Sequence, residues 1–85
     1  MRLPSAAQYP SDMSEAASSA WERVKCAKLR EIEAHRIEVV AHETTAALFE
    51  NVGLEAAAAE MRERAKRARA MLETAIRQAD ALSIY

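Results

Sequence analysis

The sequence contains very few of the residues that interrupt helices or cross-link small folds. Its 85 residues include one glycine, two prolines, one cysteine, one tryptophan, two tyrosines and one phenylalanine. Because the single cysteine, Cys26, cannot form an intramolecular disulfide, the fold does not depend on an oxidising compartment. After Ser11 the sequence has no proline and only one glycine, and this scarcity of turn residues argues against a β-sheet architecture.

An excess of one charge and a long apolar run are also missing. Twelve basic side chains balance thirteen acidic ones, for a net charge of −1, which argues against a general polyanion-binding protein. No run approaches the roughly 20 apolar residues of a membrane span, and the first ten residues lack the apolar stretch of a signal peptide. We therefore expect a cytoplasmic protein that does not enter a membrane.

The residues that are present favour two long helices. Residues 1–11 hold both prolines and are expected to form an irregular N-terminal arm. Asp12, with Glu15 three residues later, resembles a capping box, and no helix breaker follows before Gly53. Gly53 suits the left-handed position after a helix. The prediction is an all-α antiparallel two-helix hairpin, Ala-rich and coiled-coil-like, with helices at about 12–51 and 54–82 and a turn at 52–53.

Both helices repeat apolar positions in steps of three and four residues. The second helix carries a regular, mostly alanine seam: Leu54, Ala58, Met61, Ala65, Ala68, Leu72, Ala75, Ala79 and Leu82. The first helix carries a less regular seam: Ala17, Trp21, Val24, Lys28, Ile32, His35, Val39, His42, Ala46 and Phe49. Small seam residues favour a close antiparallel pair. A fold at Gly53 also brings acidic residues 31–43 near basic residues 62–69, and Lys25 near Asp80.

The two helices differ in length, which predicts a second contact surface. The second helix covers the first back to about residue 24, so residues 12–23 overhang by roughly 18 Å. The candidate partner-binding residues are Met13, Ala17, Trp21, Val24, Leu29, Ile37 and Val40. A homodimer forming a four-helix bundle or a dedicated protein partner would cover them. Trp21 either anchors that interface or is capped locally by the C-terminal Leu82, Ile84 and Tyr85.

One face of the first helix alternates carboxylates and imidazoles. Its members are Glu31, His35, Glu38 and His42. Such a face can bind a divalent metal ion if dimerisation brings a second set. The alternative is that both histidines are seam residues hydrogen-bonded to a glutamate one turn away.

Five basic side chains cluster on the second helix: Arg62, Arg64, Lys66, Arg67 and Arg69. They would suit a nucleic-acid backbone, but the acidic residues of the first helix are a simpler partner. No arrangement of catalytic residues or phosphate-binding loop is present, so we expect neither an enzyme nor a cofactor. The leading hypothesis is a non-enzymatic protein–protein interaction module, such as a small helical adaptor, inhibitor, chaperone or accessory subunit. The alternatives are a metal-binding bundle and a nucleic-acid-associated protein.

Overall fold

The computed structural model is an antiparallel hairpin of two α-helices, as the sequence predicts. It describes the backbone of residues 4–84 and the side chains of residues 15–84. Helix α1 spans Pro4–Asn51 and helix α2 spans Glu55–Ala81, and the described part of the chain contains no strand. The molecule measures 79 × 18 × 14 Å, so it is a rod one helix pair thick.

Helix α1 begins at Pro4 and not at Asp12, so the expected irregular arm is helical from residue 4 onward. A proline fits the first turn of a helix because its missing N–H needs no partner there. Pro10 lies further inside, where a proline removes the hydrogen bond to the carbonyl of residue 6 and its ring crowds that carbonyl. The prediction of an irregular arm is therefore wrong for residues 4–11, where Ala6, Ala7 and Gln8 between the two prolines favour helix. Residues 1–3 of the expected arm lie outside the described residues.

The turn between the helices is a Schellman motif centred on Gly53. The Gly53 N–H donates to the Glu50 carbonyl at 3.0 Å, and the Leu54 N–H donates to the Phe49 carbonyl at 2.8 Å. Gly53 has a φ of +81°, in the left-handed region that glycine adopts without strain. The predicted role of Gly53 is confirmed.

A second Schellman motif ends α2, and here the left-handed residue is a serine. The Ser83 N–H donates to the Asp80 carbonyl at 2.9 Å, and the Ile84 N–H donates to the Ala79 carbonyl at 2.8 Å. Ser83 has a φ of +59°. This turn directs Ile84 back onto a core cluster formed by Ile32, Ala75 and Ala79. The last residues therefore fix the end of α2 against α1.

Alanine fills most of the space between the helices. The buried apolar residues are Ile32, Val39, Ala46, Ala58, Ala65, Ala68, Ala75 and Ala79, all of them predicted seam positions. Ile32 is the only large side chain among the described residues that is fully buried. Alanine side chains let the two helices approach closely, but each removes little apolar surface from water.

The covered part of α1 starts at Lys25, which is partly buried, whereas residues 15–24 are all exposed. Helix α2 ends before it reaches them, as the length difference predicts. Neither helix offers, within the described residues, an apolar window long enough to cross a membrane.

Candidate protein-interaction surface

Several large apolar side chains of the described chain lie outside the helix pair. On α1, a row that we call the outer stripe faces away from α2. It consists of Ile37, Val40, Ala41, Thr44, Leu48 and Val52, all exposed. These positions recur at three- and four-residue steps, and they alternate with the buried seam residues Val39 and Ala46. Helix α1 is therefore apolar on two roughly opposite sides.

The outer stripe has no charged member, and its four large side chains are strongly exposed. Ile37, Val40, Leu48 and Val52 each present 59 to 69 % of their surface to solvent. At its N-terminal end, Ile37, Val40 and Ala41 line a shallow groove together with Glu33 and Arg36. The Arg36 guanidinium lies 3.6 Å from the Glu33 carboxylate, so these flanking charges pair with each other beside the apolar floor.

Helix α2 presents a different outer face. Its exposed residues include Glu60, Glu63, Lys66, Arg67, Glu73, Arg77 and Asp80. Charged side chains of both signs on the face opposite the seam are typical of a helix surface that stays in water. The contrast between the two helices identifies α1 as the one with an unsatisfied apolar side.

A second exposed patch lies on the overhang of α1 and contains Ala17, Trp21 and Val24. Trp21 and Val24 expose 39 and 45 % of their surfaces. Trp21 precedes the seam residues Lys28 and His35 by seven and fourteen positions, so it continues the face that α2 covers further along. This patch therefore lies on the α2 side of α1, beyond the end of α2, and not on the outer stripe.

The predicted partner-binding residues thus fall on two faces of α1. Ile37 and Val40 belong to the outer stripe, whereas Ala17, Trp21 and Val24 belong to the overhang. Leu29 is also exposed, at 44 %. The side chain of Met13 lies outside the described residues.

Leu48 and Val52 belong to the outer stripe but were missing from the predicted set. The sequence did contain a signal for them, since both follow Thr44 at four-residue steps on the face that carries Ile37. What it could not supply was the exposure of that face.

The two histidines lie on the seam that faces α2. His35 is largely buried, with its Nε2 atom 3.7 Å from Glu31 Oε2 and its Nδ1 atom 3.6 Å from Glu38 Oε1. Both distances exceed a hydrogen bond, and the buried Nδ1 has no hydrogen-bond partner. The seam position agrees with the structural interpretation of His35 and His42, although neither ring nitrogen of His35 lies within hydrogen-bond distance of Glu31 or Glu38.

The alternative metal site is not assembled within one chain. Among the described residues, no group of three or more His, Cys, Asp or Glu side chains is placed to hold a metal ion. Helix geometry explains this, because His35 and His42 are two turns apart, or roughly 10 Å. In addition, Glu31 already accepts a hydrogen bond from Lys28.

Lys28 links the two helices through hydrogen bonds to Glu31 and Gln78. Its Nζ donates to Glu31 Oε1 at 2.8 Å and to Gln78 Oε1 on α2 at 2.7 Å. The Lys28 hydrogen bond holds the pKa of the Glu31 carboxyl below its ordinary value, and the positive charge of Lys28 acts in the same direction. A basic residue at a seam position thus has a structural role.

Most of the basic cluster on α2 is paired with carboxylates. Arg62 pairs with Glu50 and Arg69 pairs with Glu43, both across the helix interface, while Arg64 lies 3.3 Å from Glu60 on its own helix.

The pairs across the interface agree with the predicted charge register at Glu43. Lys25, in contrast, pairs with Glu22 on its own helix at 3.0 Å, and among the described residues it forms no ion pair with Asp80. The pairing of the arginines supports the simpler interpretation of the cluster over a nucleic-acid surface.

Cys26 is a free, exposed thiol. It lies in a shallow depression of α1 beside Arg23 and Arg30, on the part of the helix just before the core cluster.

Comparison of the chain with protein-family models, with curated proteins and with solved structures finds no match.

Proposed function

We propose that this protein is a non-enzymatic protein–protein interaction module that acts by packing one side of α1 against a helix of its partner. One observation carries the proposal. The described chain buries mainly alanine between its own helices and leaves Ile37, Val40, Leu48 and Val52 exposed along the uncharged outer stripe. Exposed apolar stripes with charged borders are typical of helix-binding surfaces.

The magnitudes favour association over an isolated hairpin. Complete burial of one Val, Leu or Ile side chain contributes about 1.5 to 3 kcal/mol. Each large residue of the outer stripe still exposes more than half of its surface, so covering it recovers about 1 to 2 kcal/mol. By comparison, an alanine has only one methyl group to bury, and the seam consists mostly of alanines. Much of the chain's capacity for apolar burial therefore lies on its outside.

The polar residues support a structural and not a catalytic role. Lys28 donates hydrogen bonds to both Glu31 and Gln78, and two arginines of α2 pair with glutamates of α1. These side chains align the helices. The proposal includes the adaptor, inhibitor, chaperone and accessory-subunit forms of such a module. It also assigns the protein to the cytoplasm, which the single free thiol of Cys26 suits.

The test is a capture experiment from an extract of the source cell with the immobilised full chain. Three versions are compared: the natural chain, the Ile37→Glu/Leu48→Glu variant, and Met71→Glu as a matched control. Met71 is also large, apolar and 55 % exposed, but it lies on α2. We expect at least one protein, which includes further copies of the chain, to be recovered by the natural chain and the control but not by the double variant. Equal recovery by all three would overturn the assignment of the surface to α1.

The overhang is tested by the same experiment with Trp21→Ala. A partner lost from Trp21→Ala but kept by Ile37→Glu/Leu48→Glu would move the docking surface to the overhang. Circular dichroism of each variant must show unchanged helix content, because only then does a lost partner report on the surface.

A further inference from the structure

We infer that the outer stripe of α1 binds the outer stripe of a second copy of this chain, with the two α1 helices antiparallel. The inference rests on the proposed function and names its partner. Three observations carry it: the order of large and small residues along the stripe, the position of the charges beside it, and its length.

The central part of the stripe, which consists of Ile37, Ala41, Thr44 and Leu48, is symmetric about a point between His42 and Glu43, whereas Val40 and Val52 have no equivalent within the stripe. Ile37 and Leu48 lie at equal distances on either side of that point, and the smaller Ala41 and Thr44 lie at equal distances inside them. A two-fold axis through that point places Ile37 opposite Leu48 of the second copy and Ala41 opposite Thr44 of the second copy. A two-fold interface requires this kind of self-complementary surface. Small residues at the centre allow the helices to approach closely, and large ones fill the space on either side.

The charges beside the stripe favour the antiparallel arrangement. Glu33 and Glu38 are exposed near its N-terminal end, whereas its C-terminal end is bordered by uncharged residues. Glu33 and Glu38 lie on opposite flanks of the stripe and five residues apart, so a parallel two-fold pair would bring Glu33 of each copy near Glu38 of the other. The antiparallel pair instead places both glutamates level with the C-terminal half of the second copy's stripe, so these like charges are separated.

The length of the stripe sets the strength of the contact. Residues 37–52 cover roughly 24 Å of helix. One helix face of that length buries less than the roughly 800 Å² per partner of a standard stable interface. An interface below that size is typical of weak, reversible association, so we expect a monomer–dimer equilibrium and not a permanent dimer.

The first experiment is sedimentation equilibrium of the full chain from low to high micromolar concentration. We expect a monomer–dimer equilibrium whose dissociation constant rises at least tenfold in Ile37→Glu and in Leu48→Glu. Met71→Glu is the control, and its dissociation constant is expected to match that of the natural chain. A monomer at all concentrations would overturn the inference, and so would a dimer that all three substitutions leave unchanged.

The second experiment determines the register by cysteine cross-linking. In a Cys26→Ser background, Ile37→Cys and Leu48→Cys chains are prepared separately and then mixed under mild oxidation. These positions are roughly 16 Å apart along the helix, and disulfides need Cα atoms within about 7 Å, so the antiparallel register predicts cross-links only between the two different variants. A preference for cross-links within each variant alone would indicate a parallel pair and overturn the inference.

Failure of this inference differs from failure of the proposed function. A chain that stays monomeric, yet captures a different protein in a manner that Ile37→Glu/Leu48→Glu abolishes, keeps the proposed function and refutes the second copy as the partner. A chain that stays monomeric and captures nothing refutes both.

Discussion

The two helix ends of this hairpin offer a matched test of what the left-handed turn residue contributes. Gly53 and Ser83 occupy the same position of the same motif, with φ angles of +81° and +59°. For a residue with a side chain, the left-handed conformation costs roughly 1 to 2 kcal/mol. This strain is absent at Gly53, because glycine has no side chain, and it is present at Ser83. Gly53→Ala and Ser83→Gly should therefore change the free energy of unfolding in opposite directions.

The expected size at Gly53 follows from its surroundings. A Cβ atom added there meets no other atom within 4 Å, so a steric clash does not contribute. What remains is the backbone strain, partly offset by the roughly 0.4 to 1 kcal/mol that alanine gains by restricting the unfolded chain. We expect Gly53→Ala to destabilise the hairpin by about 1 kcal/mol. Ser83→Gly should stabilise it by only about 0.5 kcal/mol, because the backbone strain that it relieves is partly offset by the freedom that glycine adds to the unfolded chain.

The assay is urea unfolding followed by circular dichroism at a fixed protein concentration. With a denaturant dependence near 1 kcal/mol per M for a small chain, Gly53→Ala should lower the midpoint by roughly 1 M. Gly53→Asn is the control, since asparagine tolerates the left-handed region, and it should lose less than Gly53→Ala. A stabilising effect of Gly53→Ala would refute the reasoning, because it would mean that the helix continues through residue 53.

Three further predictions concern the seam. Ala75→Leu should lower the free energy of unfolding by about 1 to 3 kcal/mol, because the larger side chain overpacks the close helix contact. Ala59→Leu, at an exposed site of α2, is the control and should change the free energy of unfolding little. Urea unfolding measures both. Ile32→Ala should cost about 2 to 5 kcal/mol, measured in the same way, and a loss under 1 kcal/mol would contradict the core cluster. Nuclear magnetic resonance titration should show a Glu31 pKa below the ordinary value that rises in Lys28→Met. Because that pKa is lowered in the folded state, the contribution of Glu31 to stability is present above its unfolded pKa and is lost as the pH falls through the folded one.

The seam was predictable because a single physical requirement sets it. From Lys28 to Phe49, every seam position that the spacing predicts on α1 is buried or partly buried, and the polar Lys28 and His35 are among them. The three- and four-residue spacing fixes which face meets α2 whatever residue stands there. The turn was predictable for a similar reason, since Gly53 is the only glycine in the chain.

The start of α1 and the end of α2 were harder, because competing local effects decide them. Pro4 and Pro10 carry a strong helix-breaking signal, but the first turn tolerates a proline and the residues between them favour helix. At the other end, Ser83 adopts a conformation that its residue type rarely adopts. The contact of Ile84 with the core cluster compensates for it. That contact depends on where α2 ends relative to Ile32, which the local sequence does not specify.

The sequence predicted most of the apolar residues of the candidate surface, but it did not predict that they lie on two different faces of α1. The excess of apolar residues on α1 is visible in the sequence, and the difference in helix length predicts the overhang around Trp21. Exposure in the folded hairpin separates Trp21 and Val24, which continue the seam, from Ile37 and Val40, which lie on the opposite side. Grouping them required the position of α2.

The thin core and the exposed stripe have a common origin in α1. A helix that is apolar on two sides cannot cover both with one partner, and α2 takes the side that carries Lys28, His35 and His42, where polar groups reduce the burial. The large aliphatic residues Ile37 and Leu48 remain on the other side. Any partner that covers them binds the folded hairpin and not the unfolded chain, so its binding free energy adds to the free energy of unfolding. At a partner concentration 100 times the dissociation constant this contribution is about 2.7 kcal/mol, which is large beside what an alanine seam supplies. Stability and association are therefore coupled in this chain through the outer stripe.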